Sequence, residues 1–475
     1  MRTRWFQNLA VILAVFTATH ASGQDFVPSV TLERRIFNTF RDGDYDTAIQ
    51  LIEQYLADHP HHPVMLYNAA CAYSLKGEPD RSASYLIRAV RAGFRDLDQI
   101  VGDPDLEAIR EHPKYQVVIQ RLQRRAARRA DNALDLWKAT YGTEHYRYER
   151  DEQRRIAYAT ALDPVSHHEM RQMLQREADH LQSALFDVEP RSYLLIAVPT
   201  PRDGDRIFSA DNIGGIYEHA RRRLIARDIG GALRHEFVHA LHYVHMDQLR
   251  QRHPLWIQEG LASLYEDYTL HDDGTIEFHP NERHNVVKSR ARSGRLMKWK
   301  NLFVITDDRF MARAGQLYPQ VRSIFEFVAD QGKLTQWYEY FVANFREDAT
   351  GGKAFELCFD MPLDEIERAW RQWLTTRPKI DTTINPGDAS LGIQSRPNGS
   401  NDGVVIDSML PGSAARRSQL RVGDVIVSID GEPARSLAEL QAIIGSKQVG
   451  DRVRVRARRA GAYLTVVVTL RPLRW

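Results

Sequence analysis

Four side chains in residues 230–267 have the types and spacing that hydrolytic metal chemistry requires: His235, Glu236, His239 and Glu259. The first three lie in GGALRHEFVHALHYVHM, which is apolar at helical spacing (Leu233, Phe237, Ala240, Leu241, Val244). No Pro or Gly follows Gly231 in this run, so it predicts a helix. Residues four apart on a helix project side by side, so His235 and His239 can grip one Zn2+ ion. Glu236 sits beside them without being a ligand, placed to take a proton from water that the ion acidifies.

A hydrolytic zinc site needs a third protein ligand and one open position. His245 follows His239 by six residues, which resembles the metzincin pattern HExxHxxGxxH. That pattern turns the chain at a Gly, and here the position is His242, with no helix breaker before Pro254. On a continuing helix His245 points to a different face, and His242 and His245 read as bystanders. Glu259 lies twenty residues after His239 in a second amphipathic stretch, WIQEGLASLYED. An antiparallel return helix, joined by a loop around residues 252–254, would bring its carboxylate back to the histidines. This spacing and the W-x-x-E-G-x-A wording resemble the gluzincins, the thermolysin-like metallopeptidases. The resemblance implies His235, His239 and Glu259 as zinc ligands and Glu236 as general base. In one respect the chain departs from it: thermolysin-like enzymes place an acidic residue four after the glutamate ligand, and here that position is Ser263. The partner that orients a zinc imidazole must therefore be Ser263, a backbone carbonyl or a residue elsewhere.

The elements around this core follow from pattern. Residues 154–162 (RRIAYATAL) read as a strand, Asp163-Pro164 caps a long helix over 165–185, and SYLLIAVP reads as a more buried strand. Gly214-Gly215 reads as a turn and Arg222 to Ala226 as a short strand. The gluzincin resemblance implies that this last strand borders the cleft and that substrate adds to it as a further strand. Beyond Glu259 a polar hairpin (Leu270 to Pro280) precedes helices. Tyr318 heads LYPQVRSIFEFVADQG, which resembles an element of gluzincin-like peptidases. In their aminopeptidase branch a tyrosine in this region stabilises the oxyanion, which makes Tyr318 a candidate catalytic residue.

At 475 residues the chain is too long for one core. Arg2 and Arg4, the apolar run Leu9 to Ala18 and small residues through Gly23 read as a signal peptide over 1–23. Ten apolar residues are too few to span a bilayer, so an exported product, periplasmic or secreted, with no integral membrane span is expected. The net charge of +2 points to no charged partner, and no nucleic acid is expected; the basic run Arg121 to Ala130 reads as a solvated helix face. Cys71 and Cys358 fall in separate predicted domains and read as buried thiols.

Gly43-Asp44 and Gly77-Glu78 recur at a 34-residue interval, each followed by a small residue, Ala48 and Ser82. This resembles tetratricopeptide repeats, which implies helix pairs over 29–120 and a protein partner at their face. A basic linker helix is expected over 121–150, a zinc metallopeptidase domain over 151–375, and a Pro/Gly/Thr-rich linker over 376–388. Residues 389–475 resemble a PDZ domain. SLGIQ matches its carboxylate-binding loop and GDVIVSIDG a core strand of bacterial type. That resemblance implies a small β-sandwich or barrel whose groove uses Leu391, Gly392, Ile393, Leu437 and Leu440, with the N–H groups of Gly392 and Ile393 cradling a chain terminus.

The expected fold class is therefore multidomain α+β: a helical repeat region, a gluzincin-type catalytic domain (mixed sheet plus active-site helices), and a PDZ domain. The expected function is exported, zinc-dependent hydrolysis of a peptide or protein substrate, recruited by the flanking modules. A PDZ module beside such a domain resembles the glycyl aminopeptidase family, from which the repeat-like front end departs. The alternative is an exported scaffold that binds peptides with an inactive peptidase domain.

Overall fold

The computed structural model describes residues 30–188, 190–208, 213–227, 229–249, 251–271, 273–279, 282–377, 384–395, 403–434, 437–459 and 462–474. The expected signal peptide, 1–23, lies outside them. The chain divides into two compact units: 1–131 with 190–193 and 246–252, and 132–189 with 194–245 and 253–475.

The first unit is helical: α1 (Val30–Arg41), α2 (Tyr45–Asp58), α3 (Pro63–Leu75), α4 (Pro79–Ala92), α5 (Leu97–Gly102), a 3-10 turn Pro104–Ile109 and the start of α6 (Pro113–Tyr141). α1–α2 and α3–α4 are two helix pairs whose tight turns place Gly43 (φ +75°) and Gly77 (φ +82°) in the left-handed region. Ala48 and Ser82, 34 residues apart, are both fully buried where helices approach closely. The Ser82 hydroxyl bonds the Ala70 carbonyl at 2.7 Å. α3 is buried on every face from Met65 to Ser74, as a helix sandwiched between others must be. α6 begins at Pro113, so the expected basic linker over 121–150 is not a separate helix.

The second unit is built on a five-stranded sheet: β1 (Arg147–Asp151), β2 (Ile156–Thr160), β3 (Leu194–Val198), β4 (Gly215–Glu218) and β5 (Arg223–Ala226), in the order β1-β2-β3-β5-β4. β2, β3 and β5 run parallel, with β1 and β4 as antiparallel edges. β2 and β3 are buried at every residue, as parallel strands covered on both faces are. The crossover between them is α7 (Pro164–Ala184), capped by the Asp163 side chain on the N–H groups of Val165 and Ser166; α8 (Pro201–Ile207) follows β3. Two expectations need correction. The sheet begins at Arg147, inside the segment assigned to the linker. β5 pairs on both sides, so its backbone has no open edge for substrate; the edge belongs to β4, which forms where a Gly-Gly turn was expected.

After the sheet come α9 (Gly231–Leu249), α10 (Leu255–Leu264), the hairpin β6 (Tyr268–Leu270) with β7 (Ile276–Phe278), and α11 (Glu282–Arg292). The helices α12 (Trp299–Leu302), α13 (Asp307–Met311), α14 (Ala314–Asp330), α15 (Leu334–Asn344), α16 (Gly352–Phe359) and α17 (Leu363–Thr376) follow. Their core is aromatic, with Trp256, Trp299, Trp337 and Trp370 all fully buried. Cys71 and Cys358 are both buried and no disulfide joins them.

The C-terminal part contains β8 (Ala389–Ser390), β9 (Ile393–Gln394), β10 (Val404–Val405), β11 (Ser408–Met409), β12 (Val425–Ile429), β13 (Glu432–Pro433), α18 (Leu437–Gly445), β14 (Arg452–Arg459), β15 (Ala462–Thr469) and β16 (Arg471–Pro472). β10, β12, β14 and β15 form one sheet, β11 pairs β9, and β16 pairs β8. The expected linker is partly folded onto this module: Gly387 donates to the Leu473 carbonyl (3.0 Å) and Leu473 to Asp388 (2.8 Å), while residues 378–383 lie outside those described. The module also touches the rest of its unit. Tyr463 donates its hydroxyl to the Arg227 carbonyl at 2.9 Å, and Arg454 pairs with Glu169.

Candidate metal centre

α9 and α10 bring the three donors together. His239 Nε2 lies 3.1 Å from His235 Nε2, and Glu259 Oε2 lies 3.2 Å from His235 Nε2 and 3.5 Å from His239 Nε2. Ligands about 2.0–2.1 Å from a tetrahedral metal stand roughly 3.3–3.5 Å apart, so the triangle has the dimensions of one metal centre. All three residues are buried.

Electrostatics suit a cation there. Burial would drive His235 toward neutrality, but the Glu259 and Glu266 carboxylates outweigh it and lift its pKa to about 10. Burial would likewise raise Glu259, but His239 and His235 hold its carboxyl well below the usual range. Glu266 is the orienting partner that Ser263 could not supply. Its Oε1 lies 2.9 Å from His235 Nδ1, and a carboxylate only accepts, so Nδ1 carries the proton and Nε2 faces the centre. Arg283 braces this contact, bonding Glu266 Oε1 and the Ser263 hydroxyl, both at 2.9 Å. Sequence reasoning missed Glu266 because it stands seven residues past Glu259 instead of four. It also lies past the end of α10 at Leu264, where helical spacing gives no signal.

Two glycines set the approach of the walls. A Cβ on Gly260 would stand 2.5 Å from the Phe325 ring, so the Gly after Glu259 lets α10 lie against α14. A Cβ on Gly215 would stand 2.7 Å from Glu236 Cγ, so β4 can pass directly beside that half-buried side chain. α14 also closes the end of α10: buried Arg322 donates Nε to the Ser263 carbonyl (3.0 Å) in its last turn and Nη2 to the His279 carbonyl (2.7 Å).

Tyr318, one turn before Arg322, has its ring 6.3 Å from that of His235, with Arg283 over its face at 5.5 Å. Burial, reinforced by Glu259, pushes its phenol well above the ordinary value and keeps the O–H as a donor. His245 and His242 are elsewhere: His245 Nδ1 meets the Tyr338 hydroxyl at 2.9 Å, and His242 Nε2 meets His253 Nδ1 at 2.7 Å. Burial lowers both, His245 to about 4, so they form a neutral core cluster.

In the C-terminal module, Leu391 and Leu440 are buried in its core, Ile393 is half-buried and Leu437 exposed. Gly392 (φ +65°) lies too close to Ser413 for any side chain. Its N–H, expected to bind a chain terminus, donates here to Ser390 Oγ at 2.8 Å. β9 pairs only with β11 among the described residues, leaving its other edge open.

Fold and site thus define an α+β chain with a buried His-His-Glu centre and a PDZ module. Residues 381–458 match the PDZ domain family. The chain is 37% identical over 68 residues to the periplasmic pH-dependent serine endoprotease DegQ of Escherichia coli K12, covering 14% of this chain and 15% of that protein. It is 34% identical over 68 residues to the periplasmic serine endoprotease DegP of Salmonella typhimurium, covering 14% of each. The chain thus spans less than a fifth of the length of either relative. An aminopeptidase N family protein of Idiomarina loihiensis superposes with a TM-score of 0.27 and 13% identity, over 69% of this chain and 67% of that one. Among the described residues no helix is long and apolar enough to cross a membrane.

Proposed function

We propose that this chain is an exported, zinc-dependent peptidase that hydrolyses peptide bonds, with the PDZ module recruiting its substrates. The observation that carries this reading is the His235, His239 and Glu259 triangle of 3.1–3.5 Å, with the Glu266 carboxylate fixing the His235 tautomer. Zn2+, when bound by these three residues, supplies a Lewis acid that acidifies water and polarises the scissile carbonyl. Glu236 takes the proton of the attacking water and returns it to the leaving amine. Tyr318, whose hydroxyl stays protonated, donates a hydrogen bond to the developing oxyanion. β4, an edge strand beside Glu236, offers backbone groups to an extended substrate.

The test measures metal and rate separately. The purified chain should hold about one zinc, lost in His239→Ala and Glu259→Ala but kept in His245→Ala. Glu236→Gln should keep the zinc while hydrolysis falls by roughly 10² to 10⁴. Stoichiometric zinc in Glu259→Ala, or full rate in Glu236→Gln, overturns the reading.

A further inference from the structure

The C-terminal module holds a partly open cavity of about 180 Å3 beside the SLGIQ loop. Among the described residues none of α18, the groove helix, lines it; its walls come from Ser390, Gly392, the loop 410–414 and residues 471–474. Among the described residues three arginines line it, Arg417, Arg471 and Arg474, and no carboxylate does. Among the described residues none of the three has an acidic partner, and Arg471 Nη1 makes one long contact, 3.4 Å, to the Gly412 carbonyl. Neighbouring arginines of the same module are matched, Arg459 to Asp424 at 2.7 Å and Arg454 to Glu169.

Arg471 is half-buried and Arg417 and Arg474 are exposed, and like charges lining one cavity repel unless an anion joins them. Two of these cations are held by backbone pairing. β16 carries Arg471 against β8, and Leu473, beside Arg474, exchanges hydrogen bonds with residues 387 and 388. Two hydroxyls add directional donors. Ser390 Oγ accepts the Gly392 N–H and Ser413 Oγ accepts the Arg416 N–H, which leaves each hydroxyl proton free to point at an acceptor. A planar guanidinium fork beside hydroxyl donors is the chemistry that binds a tetrahedral oxyanion.

We propose that this cavity is a phosphate-binding site, taking a phosphate group that is either free or carried on a lipid headgroup. Isothermal titration of the full chain with inorganic phosphate in chloride buffer should saturate with one site of this kind. Arg417→Ala/Arg471→Ala should weaken it by about tenfold or more, because charge-assisted bonds are lost. A parallel arm uses vesicles of phosphatidylcholine with or without phosphatidylglycerol. Binding of free phosphate identifies the soluble anion, whereas arginine-dependent binding only to the anionic vesicles identifies the headgroup. Phosphate bound equally by the double variant sits at the His-Glu centre and overturns the proposal, as does the absence of arginine-dependent binding in both arms. Neither arginine belongs to the His-Glu centre or to the residues that brace it, so zinc content and hydrolysis by the double variant should match the parent whatever the titration shows.

Discussion

At the scale of single residues, a carboxylate decides how firmly the centre is held. Glu266 stands outside the His235, His239 and Glu259 triangle, yet it fixes which His235 nitrogen carries the proton. Glu266→Gln keeps the shape but offers a neutral amide that can donate as well as accept. Zinc affinity, read by competition with a chelator, should fall by about 10- to 100-fold with the fold unchanged; parent-like affinity would show that Arg283 and the protein matrix orient the ring without it. Glu177 poses the opposite problem. It is fully buried with one oxygen on the Tyr268 hydroxyl at 3.0 Å, and burial raises it to about 8 against an ordinary 4.5. The folded state therefore binds its proton more tightly than the unfolded state. This group costs nothing below about pH 4.5, destabilises progressively as pH rises, and reaches its full cost above about pH 8. Glu177→Gln should thus be more stable than the parent at pH 8 by up to a few kcal/mol, the advantage vanishing near pH 4. Denaturant titrations at both pH values check it, and a pH-independent difference sinks the argument.

At the scale of elements, the parts legible in the sequence are those whose side chains carry a period or a fixed spacing. The α9 helix, the return of Glu259 on α10 and the buried strands β2 and β3 all follow from apolar spacing. The elements missed are those whose reason lies in a partner. β1 reads RYERD, too polar to signal a strand, and exists because β2 offers it a full register of pairs. β4 hides behind Gly214-Gly215, a turn signal, because what permits it is the passage of Gly215 against Glu236. Glu266 escaped because its partner is set by how α10 leads into β6. The same contacts give a prediction for α10. Gly260→Ala places a methyl group 2.5 Å from the Phe325 ring, which is fully buried and cannot swing aside, so α10 must lift from α14. Overpacking of this kind costs about 1–3 kcal/mol. The lift moves Glu259 relative to α9, so zinc affinity should fall along with Tm. Loss of stability with unaltered zinc affinity would mean that the strain relaxes into α14 instead.

At the scale of the whole molecule, the PDZ module is seated on the part that carries the His-Glu triangle as well as tethered to it. Tyr463 closes on the carbonyl of Arg227, at the end of β5, and carries the Arg456 guanidinium over its ring at 4.1 Å. Arg454 reaches Glu169 on α7. Removing the module therefore removes two different things: the open edge of β9, where an extended peptide would add, and the partners of Arg227 and Glu169. A substitution in the groove separates them. Leu437 opens α18 and is 38% exposed, so Leu437→Glu should leave folding and seating intact. It should raise KM for long substrates ending in an apolar residue, because recruitment raises local substrate concentration. Short peptides should be cut at the parent kcat. Deleting residues 389–475 should show the same KM effect and also lower the Tm of the remaining chain by several degrees, since an acceptor and a carboxylate lose their partners. If Leu437→Glu and the parent share one KM for the long substrates, the groove does not feed the centre. If the deletion alone changes KM, it is the seating at Arg227 that shapes the cleft.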